Sequence, residues 1–63
     1  DAGEMKEGAA TVLLFSAYIM HMQQQYHLAS QMLERALDYE PPREIASEIH
    51  NNLGVALELL VSR

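Results

Sequence analysis

Cysteine and tryptophan are absent from this 63-residue sequence, and proline and glycine are scarce. Without cysteine the chain forms no disulfide, and no Cys/His cluster is present to hold a structural zinc ion. The two prolines are adjacent, at Pro41 and Pro42, and only three glycines occur. A β-rich chain needs more turn residues than this. The sequence therefore predicts an all-α protein that folds without a covalent or metal cross-link.

Basic residues are also few, since four Lys and Arg side chains stand against nine Asp and Glu, for a net charge of -5 at pH 7. Nucleic-acid phosphates require clustered lysine and arginine, and an anionic membrane surface attracts the same residues. We therefore expect no nucleic-acid partner, and membrane association is disfavoured. The lack of cysteine does not identify a compartment, although we expect an intracellular location.

A stretch without charged residues between Glu7 and Glu34 raises the question of a membrane helix. Its apolar part, from Ala9 to Met22, is fourteen residues long. As a helix it would rise about 21 Å, which is short of the ~30 Å hydrocarbon core of a bilayer. The acidic start of the chain also differs from the basic start of a signal peptide. The pattern argues against a transmembrane helix.

The chain is short for an independent domain. Ordering its residues costs on the order of 95 kcal/mol, and a chain of this size buries only about 60% of its unfolded surface. Because the first residue is Asp1 rather than Met, we expect a piece of a longer protein. We interpret residues 1–63 as a single helical unit that further chain or a partner stabilises.

Start and stop signals divide the chain into three predicted helices. Asp1 and Glu4 have the spacing of a capping box, which allows the first helix to begin early. A shift in the apolar phase places its end near Gln24, where neither glycine nor proline marks a break. Pro41 ends the second helix, and Pro42 fits the first turn of the third. The predicted helices cover 4 or 8 to 23, 26–39 and 43–61.

Apolar residues follow a helical period in all three segments. The first helix is apolar nearly all round from Val12 to Met22, which predicts cover on more than one side. The second has the stripe Ala29, Met32, Leu33, Ala36 and Leu37, opposite Ser30, Gln31, Glu34, Arg35 and Asp38. The third has the stripe Ile45, Ile49, Leu53, Ala56 and Leu60, widened by Val55 and Leu59. Gly54 is unfavourable within a helix, so we expect another helix to approach closely there.

The second predicted helix resembles the second helix of a tetratricopeptide repeat. Aromatic, small, large, Ala-Leu and proline positions follow one another at that family's spacing, as Tyr26, Ala29, Leu33, Ala36, Leu37 and Pro41. In the preceding helix Ala17 takes the small position at the helix contact, between Leu13 and Met20. Ser16 stands where the family usually has Leu. The resemblance implies an antiparallel helical hairpin over 8–42.

The third helix continues the resemblance, because Asn52, Leu53 and Gly54 are similar to the Asn-Leu-Gly of a repeat's first helix. Ala17 and Gly54 would then be equivalent, 37 positions apart in this sequence rather than the usual ~34. About three extra residues are therefore expected around 41–47. The implied fold is a fragment of an α-α superhelix, with the first helix of a following repeat over 43–63. A generic helical hairpin or bundle fragment is the alternative.

A ligand groove along the first helix of each repeat is what this resemblance implies. Its lining would be Thr11, Leu14, Phe15, Tyr18 and Met22 from the first helix and Glu48, Asn51, Asn52, Val55 and Glu58 from the third. Asn52 matches an asparagine with which some family members hold a peptide backbone or carboxylate. Leu14 and Tyr18 replace the residues of a chaperone-tail clamp, so the groove favours an apolar or helical partner segment. Alternatively, Phe15 and Tyr18 pack against a preceding element.

Other residues that could bind a metal ion or take part in catalysis lack the spacing of a known site. The histidines His21, His27 and His50 form no metal-ligand pair with one another or with cysteine. The carboxylates Glu34, Asp38, Glu40, Glu44 and Glu48 indicate a solvated acidic rim rather than a catalytic pair across a cleft. The serines have no nucleophile motif, and the scattered glycines form no phosphate loop. We therefore predict no catalysis, no cofactor and no metal.

The sequence favours a protein–protein interaction scaffold, or a subunit of a larger assembly, built from tetratricopeptide-like repeats. Its partner would be a peptide or helix of another subunit, or further repeats of the same chain. Two alternatives stay open. One is a helical cofactor-binding bundle in which His21, His27 or His50 is a ligand, and the other is a membrane-associated helical subunit that uses 9–22.

Overall fold

Three α-helices account for most of the structure, in agreement with the all-α prediction. The computed structural model describes residues 1–62, and these residues form α1 (Ala2–Met22), α2 (Tyr26–Leu37) and α3 (Arg43–Ser62). Helices α1 and α2 form the predicted hairpin, and α3 packs against α2 from its other side. No helix within residues 1–62 is both long enough and apolar enough to cross a bilayer.

The capping box sets the start of α1. The Asp1 carboxylate accepts a hydrogen bond from the backbone N–H of Glu4 at 2.9 Å, and the Glu4 carboxylate accepts one from the Asp1 amine at 3.4 Å. Two donors that the first turn would otherwise leave unpaired are thereby satisfied. The helix consequently begins at Ala2, and the early start that the sequence allows is confirmed.

A turn without glycine separates α1 from α2. The backbone N–H of Gln25 donates to the carbonyl of Met20 at 2.8 Å, and that of Gln24 donates to the carbonyl of His21 at 2.9 Å. This is the bond pattern of a Schellman motif. Gln24 takes the left-handed conformation, with a φ of 62°, which glycine adopts more easily. The predicted break near Gln24 is confirmed, and residues 23–25 connect the two helices.

The proline pair controls the connection from α2 to α3. Helix α2 ends at Leu37, before the predicted end at Tyr39, because Asp38 and Tyr39 donate to carbonyls three residues back at 3.1 and 3.2 Å. This tightened turn cannot continue as an α-helix. Glu40 follows with a φ of 50°, next to Pro41, which disfavours the right-handed helical conformation in the residue before it.

Pro42 stands just outside α3, so the prediction that it lies in the first helical turn is wrong. Its carbonyl accepts the hydrogen bond of the Ala46 N–H at 2.8 Å, which is the role of the residue that caps a helix N-terminus. The missing N–H of proline costs nothing at this place, since no carbonyl precedes it in the helix. The connection between α2 and α3 therefore consists of residues 38–42.

The apolar core forms where α2 lies between the two longer helices. Its largest fully buried side chains are Leu33 of α2 and Ile49 of α3. The buried cluster comprises Ala10, Leu14, Ala17, Ala29, Leu33, Ala36 and Ile49. Small residues dominate this list, so the helix backbones approach one another closely. The predicted stripes of α2 and α3 are thereby confirmed at their central positions.

Ser30 departs from the predicted pattern, because it belongs to the core side of α2 rather than to its solvent face. Its side chain is 4% exposed, and its hydroxyl donates to the carbonyl of His27 at 2.7 Å. That hydrogen bond satisfies the hydroxyl inside the helix. Because α2 is covered by two neighbours, its buried arc is wider than the single stripe that sequence periodicity indicates.

Gly54 lies on an exposed side of α3, and a Cβ atom built there would meet nothing within 4 Å. Within residues 1–62, therefore, no helix makes the close approach predicted at this glycine. The side of α1 that faces away from α2 is likewise uncovered, with Val12, Phe15 and Ile19 all exposed. We predicted that α1 is covered on more than one side. The described part of the chain covers it on one side only.

Glu40→Gly is expected to stabilise the fold by about 1 kcal/mol, because glycine takes a positive φ without the steric cost that other residues have there. Asp38→Gly removes the same charge from a residue with ordinary helical φ and ψ of -63° and -20°. That control variant should be destabilised, by up to about 1 kcal/mol. Urea unfolding followed by circular dichroism measures both, and equal effects of the two substitutions would contradict the conformational explanation.

Candidate functional site

Three of the ten predicted groove residues, Tyr18, Glu48 and Asn52, come together where α1 and α3 approach each other. Nine of the ten are at least partly accessible, and they are Thr11, Phe15, Tyr18, Met22, Glu48, Asn51, Asn52, Val55 and Glu58. Few residues of α1 and α3 touch one another directly. The direct contacts between these two helices include the hydrogen bonds of Tyr18.

Leu14 is the exception among the predicted groove residues. Only 4% of its surface is exposed, and it belongs to the apolar core together with Ala10 and Ala17. It precedes Ala17 by three positions, which places both on the same side of α1. Leu14 therefore stabilises the hairpin, and the prediction that it lines the groove is wrong.

Tyr18, Glu48 and Asn52 form a polar cross-link between α1 and α3. The Tyr18 hydroxyl donates a hydrogen bond to Oε1 of Glu48 at 2.5 Å. The Asn52 side-chain amide donates to the Tyr18 hydroxyl at 3.4 Å and to the backbone carbonyl of Glu48 at 2.8 Å. All three residues were predicted in the groove, and the structure brings them into direct contact.

The cross-link changes the acidity of Tyr18. The pKa of its hydroxyl lies above the ordinary value of 10.0, chiefly because the hydroxyl donates to the Glu48 carboxylate. Partial burial raises the pKa further, and the hydrogen bond from Asn52 opposes the rise. Removing the proton would leave a phenolate beside a carboxylate, which is unfavourable. Tyr18 is therefore held in its neutral, hydrogen-bond-donating form at physiological pH.

Asn52 has its amide donors committed within the chain. An asparagine amide has two N–H donors, and here they point to the Tyr18 hydroxyl and to the Glu48 carbonyl. A peptide bound in the groove would consequently meet the carbonyl oxygen of Asn52 rather than its amide. The role implied by the resemblance, in which Asn52 holds a peptide carboxylate, requires this pair of hydrogen bonds to break.

Phe15 and Met22 are the most exposed apolar residues of the predicted groove. Phe15 is 57% exposed and Met22 is 76% exposed. The ring of Phe15 lies beside that of Tyr18, with centroids 6.0 Å apart and planes tilted by 38°, within the usual range for an aromatic pair. Thr11 adds no free donor, since its hydroxyl bonds to the carbonyl of Glu7 at 2.9 Å.

The three histidines have separate surroundings. His21 contacts Tyr26 edge to face, with ring centroids 5.1 Å apart. His27 pairs with the side chain of Gln31 at 3.4 Å, and His50 is exposed on α3. Among residues 1–62, no group of three histidine or carboxylate side chains has an arrangement that would hold a metal ion.

Carboxylates surround the connection between α2 and α3, as the sequence indicates. Glu34, Asp38, Glu40, Glu44 and Glu48 are all exposed. In the described chain the one ion pair is terminal, between the Asp1 amine and Glu4 at 3.4 Å. The acidic rim is therefore not neutralised by the basic residues of α2 and α3 that the structure describes.

Tyr18→Phe is expected to destabilise the fold by about 1 kcal/mol at neutral pH, because it removes the hydroxyl that joins α1 to α3 through Glu48. Tyr39→Phe is the matched control, since within residues 1–62 the Tyr39 hydroxyl has no hydrogen-bond partner. Chemical unfolding at pH 7 measures both variants. A loss of stability as large in Tyr39→Phe as in Tyr18→Phe would contradict a structural cross-link.

The stability difference between the wild type and Tyr18→Phe should shrink as the pH rises above about 10. In the unfolded chain Tyr18 loses its proton near its ordinary pKa of about 10, whereas the folded chain retains the proton to higher pH. The native state then binds more protons than the unfolded state, so wild-type stability falls relative to the variant. A difference that stays constant from pH 7 to pH 11 would contradict this coupling.

Comparison of the whole chain with protein-family models, with curated proteins and with solved structures gives no match. The resemblance to a repeat is therefore carried by the residues of this chain alone.

Proposed function

We propose that this chain is a protein–protein interaction segment of a scaffold or larger assembly, built from tetratricopeptide-like helical repeats and without catalysis of its own. The observation that carries the proposal is the exposure of large apolar side chains on α1, above all Phe15 and Met22, beside the groove to α3. Contiguous apolar residues on a protein surface typically mark contacts with another molecule.

The chemistry of the groove favours a partner segment that is itself apolar or helical. Phe15 and Met22 offer flat aromatic and flexible thioether surfaces, and methionine adapts well to differently shaped partners. The polar residues Tyr18, Glu48 and Asn52 already bond to one another, so they leave few free donors for a charged ligand. A peptide or helix of a partner subunit, or further repeats, would therefore bind mainly through side-chain packing.

Phe15→Ala combined with Met22→Ala should lower the capture of the partner from native extract about tenfold or more. Each side chain contributes about 1.5–3 kcal/mol when it is fully buried, and 1.4 kcal/mol is a factor of ten in affinity. Both are exposed, so the fold survives their truncation. Quantitative mass spectrometry of the proteins captured by the wild-type and variant chains measures the change.

The matched control truncates two apolar side chains elsewhere, Leu28→Ala and Tyr39→Ala, each 40% exposed in the wild type. The control should retain the same partners at unchanged levels, and circular dichroism should show equal helix content in all three proteins. Identical partners and amounts for both double variants would exclude the groove as the binding site.

A further inference from the structure

Tyr39 differs from the other two tyrosines of the chain in its surroundings. Its side chain is 40% exposed, and within residues 1–62 its hydroxyl has no hydrogen-bond partner. The Tyr18 hydroxyl donates to Glu48, whereas Tyr26 is half-buried at the start of α2 and packs edge to face on a histidine ring. Tyr39 is therefore the tyrosine whose phenol is both exposed and unbonded, as an enzyme that modifies tyrosine requires.

The backbone at Tyr39 lies outside the helices. Helix α2 ends at Leu37, and residues 38–42 form the connection to α3. The Tyr39 N–H donates to the carbonyl of Ala36 at 3.2 Å in a single tightened turn, and the two prolines that follow have no N–H to donate. An enzyme that binds its substrate in an extended form breaks few hydrogen bonds here. At Tyr18 it would have to open the middle of α1.

Carboxylates flank Tyr39 on both sides along the chain. Asp38 precedes it and Glu40 follows it, and both are exposed, as are Glu34 and Glu44 of the acidic rim. A surface with charges of one sign attracts an enzyme whose substrate cleft is basic, and it raises the rate at which the two meet. The same carboxylates repel any negative group that is added to Tyr39, unless a cation stands beside it.

Arg35 is the cation beside Tyr39. The two side chains line one cleft of about 410 Å³, and Arg35 makes no ion pair within residues 1–62. The other residues that line the cleft belong to α1 and are small or apolar, namely Gly8, Ala9, Val12 and Leu13. A Cβ atom built on Gly8 would meet nothing within 4 Å. This wall of the cleft therefore leaves space for a group attached to the Tyr39 hydroxyl.

We propose that Tyr39 is a phosphorylation site, and that the Arg35 guanidinium binds the phosphate within this cleft. The Tyr39 hydroxyl oxygen attacks the γ-phosphorus of a nucleoside triphosphate held by a protein tyrosine kinase. An O–P bond forms, the bond to the nucleoside diphosphate breaks, and the hydroxyl proton passes to a carboxylate of the kinase. The phosphate carries a charge of about −1.5 to −2 at pH 7, and a guanidinium binds it through two parallel hydrogen bonds.

This modification goes beyond the interaction role proposed above and is tested apart from it. Tyr39 and Arg35 are not groove residues, and Phe15→Ala with Met22→Ala leaves both in place. When capture uses an extract freed of nucleoside triphosphate, Tyr39 stays unmodified. The control with Leu28→Ala and Tyr39→Ala therefore reports on the apolar contact alone.

The first experiment incubates the intact chain with magnesium, ATP and a purified tyrosine kinase domain that selects acidic substrates. Fragmentation of the digested protein in a mass spectrometer measures the phosphate at each tyrosine over time. Tyr39 should be modified at least about tenfold faster than Tyr18 or Tyr26, because those two react only in the fraction of molecules that has opened locally.

Two variants confirm the position of the phosphate. Tyr39→Phe should remove nearly all incorporation, whereas Tyr26→Phe should leave the rate at Tyr39 unchanged. A chain that gains no phosphate at Tyr39, or gains it equally fast at all three tyrosines, would overturn the proposal.

The second experiment tests the contact with Arg35. Thermal unfolding followed by circular dichroism is compared before and after phosphorylation in the wild type, in Arg35→Gln and in Arg43→Gln. Each substitution removes one exposed positive charge, but Arg43 does not line the cleft. Phosphorylation should change the unfolding temperature of Arg35→Gln less favourably than that of the wild type, by about 4 °C or more, because the phosphate then faces carboxylates alone.

Arg43→Gln should respond to phosphorylation as the wild type does. An equal response of all three proteins, or a loss as large in Arg43→Gln as in Arg35→Gln, would show that the phosphate is not bound by Arg35 and would overturn that contact.

Discussion

The twelve residues of α2 provide the contact on which the rest of this structure depends. Both longer helices bury their apolar residues against α2, and few residues of α1 and α3 touch each other directly. Hydrophobic burial is the main driving force for folding. Here nearly all of the buried apolar surface lies at the contacts of one short helix. The small side chains at these contacts let three helix backbones lie close enough for so short an element to serve two neighbours.

Because α1 and α3 pack mainly on α2 rather than on each other, the contact between them can be polar without cost to the core. Tyr18, Glu48 and Asn52 join the two helices by hydrogen bonds at the solvent boundary, where each such bond contributes about 1 kcal/mol to stability. The same arrangement leaves the apolar side chains of Val12, Phe15 and Ile19 on α1 exposed. Helix α1 thus carries a hydrogen-bonded tyrosine next to exposed apolar side chains.

Local signals allowed the helices to be predicted from the sequence. The capping box at Asp1 and the pair Pro41 and Pro42 act through backbone sterics and hydrogen bonds between near neighbours, so they work in any tertiary context. The turn at Gln24 is harder to predict, because a glutamine takes the left-handed conformation that a glycine would usually mark in the sequence. Only the change in apolar phase indicated it.

Packing between helices that are distant in sequence determines the features that local sequence patterns did not predict. Ser30 and Leu14 are buried because α2 has a neighbour on two sides and because the hairpin contact extends around α1. A periodicity argument assumes one covered side per helix, and it therefore misplaces residues at the edge of the covered arc. The same is true of Gly54, whose small size suggests a contact that the described chain does not contain. Tyr18 and Glu48 are thirty residues apart, and no local pattern links them.

The acidic rim has a consequence for how this protein responds to its solvent. Its five carboxylates are exposed around the connection between α2 and α3, and the only ion pair of residues 1–62 is at the N-terminus. Dissolved salt therefore has few attractive ion pairs to screen. Its main effect is to reduce the repulsion between the carboxylates of the acidic rim. We therefore expect added salt to stabilise this fold, whereas a protein held by surface ion pairs would be destabilised by the same ions.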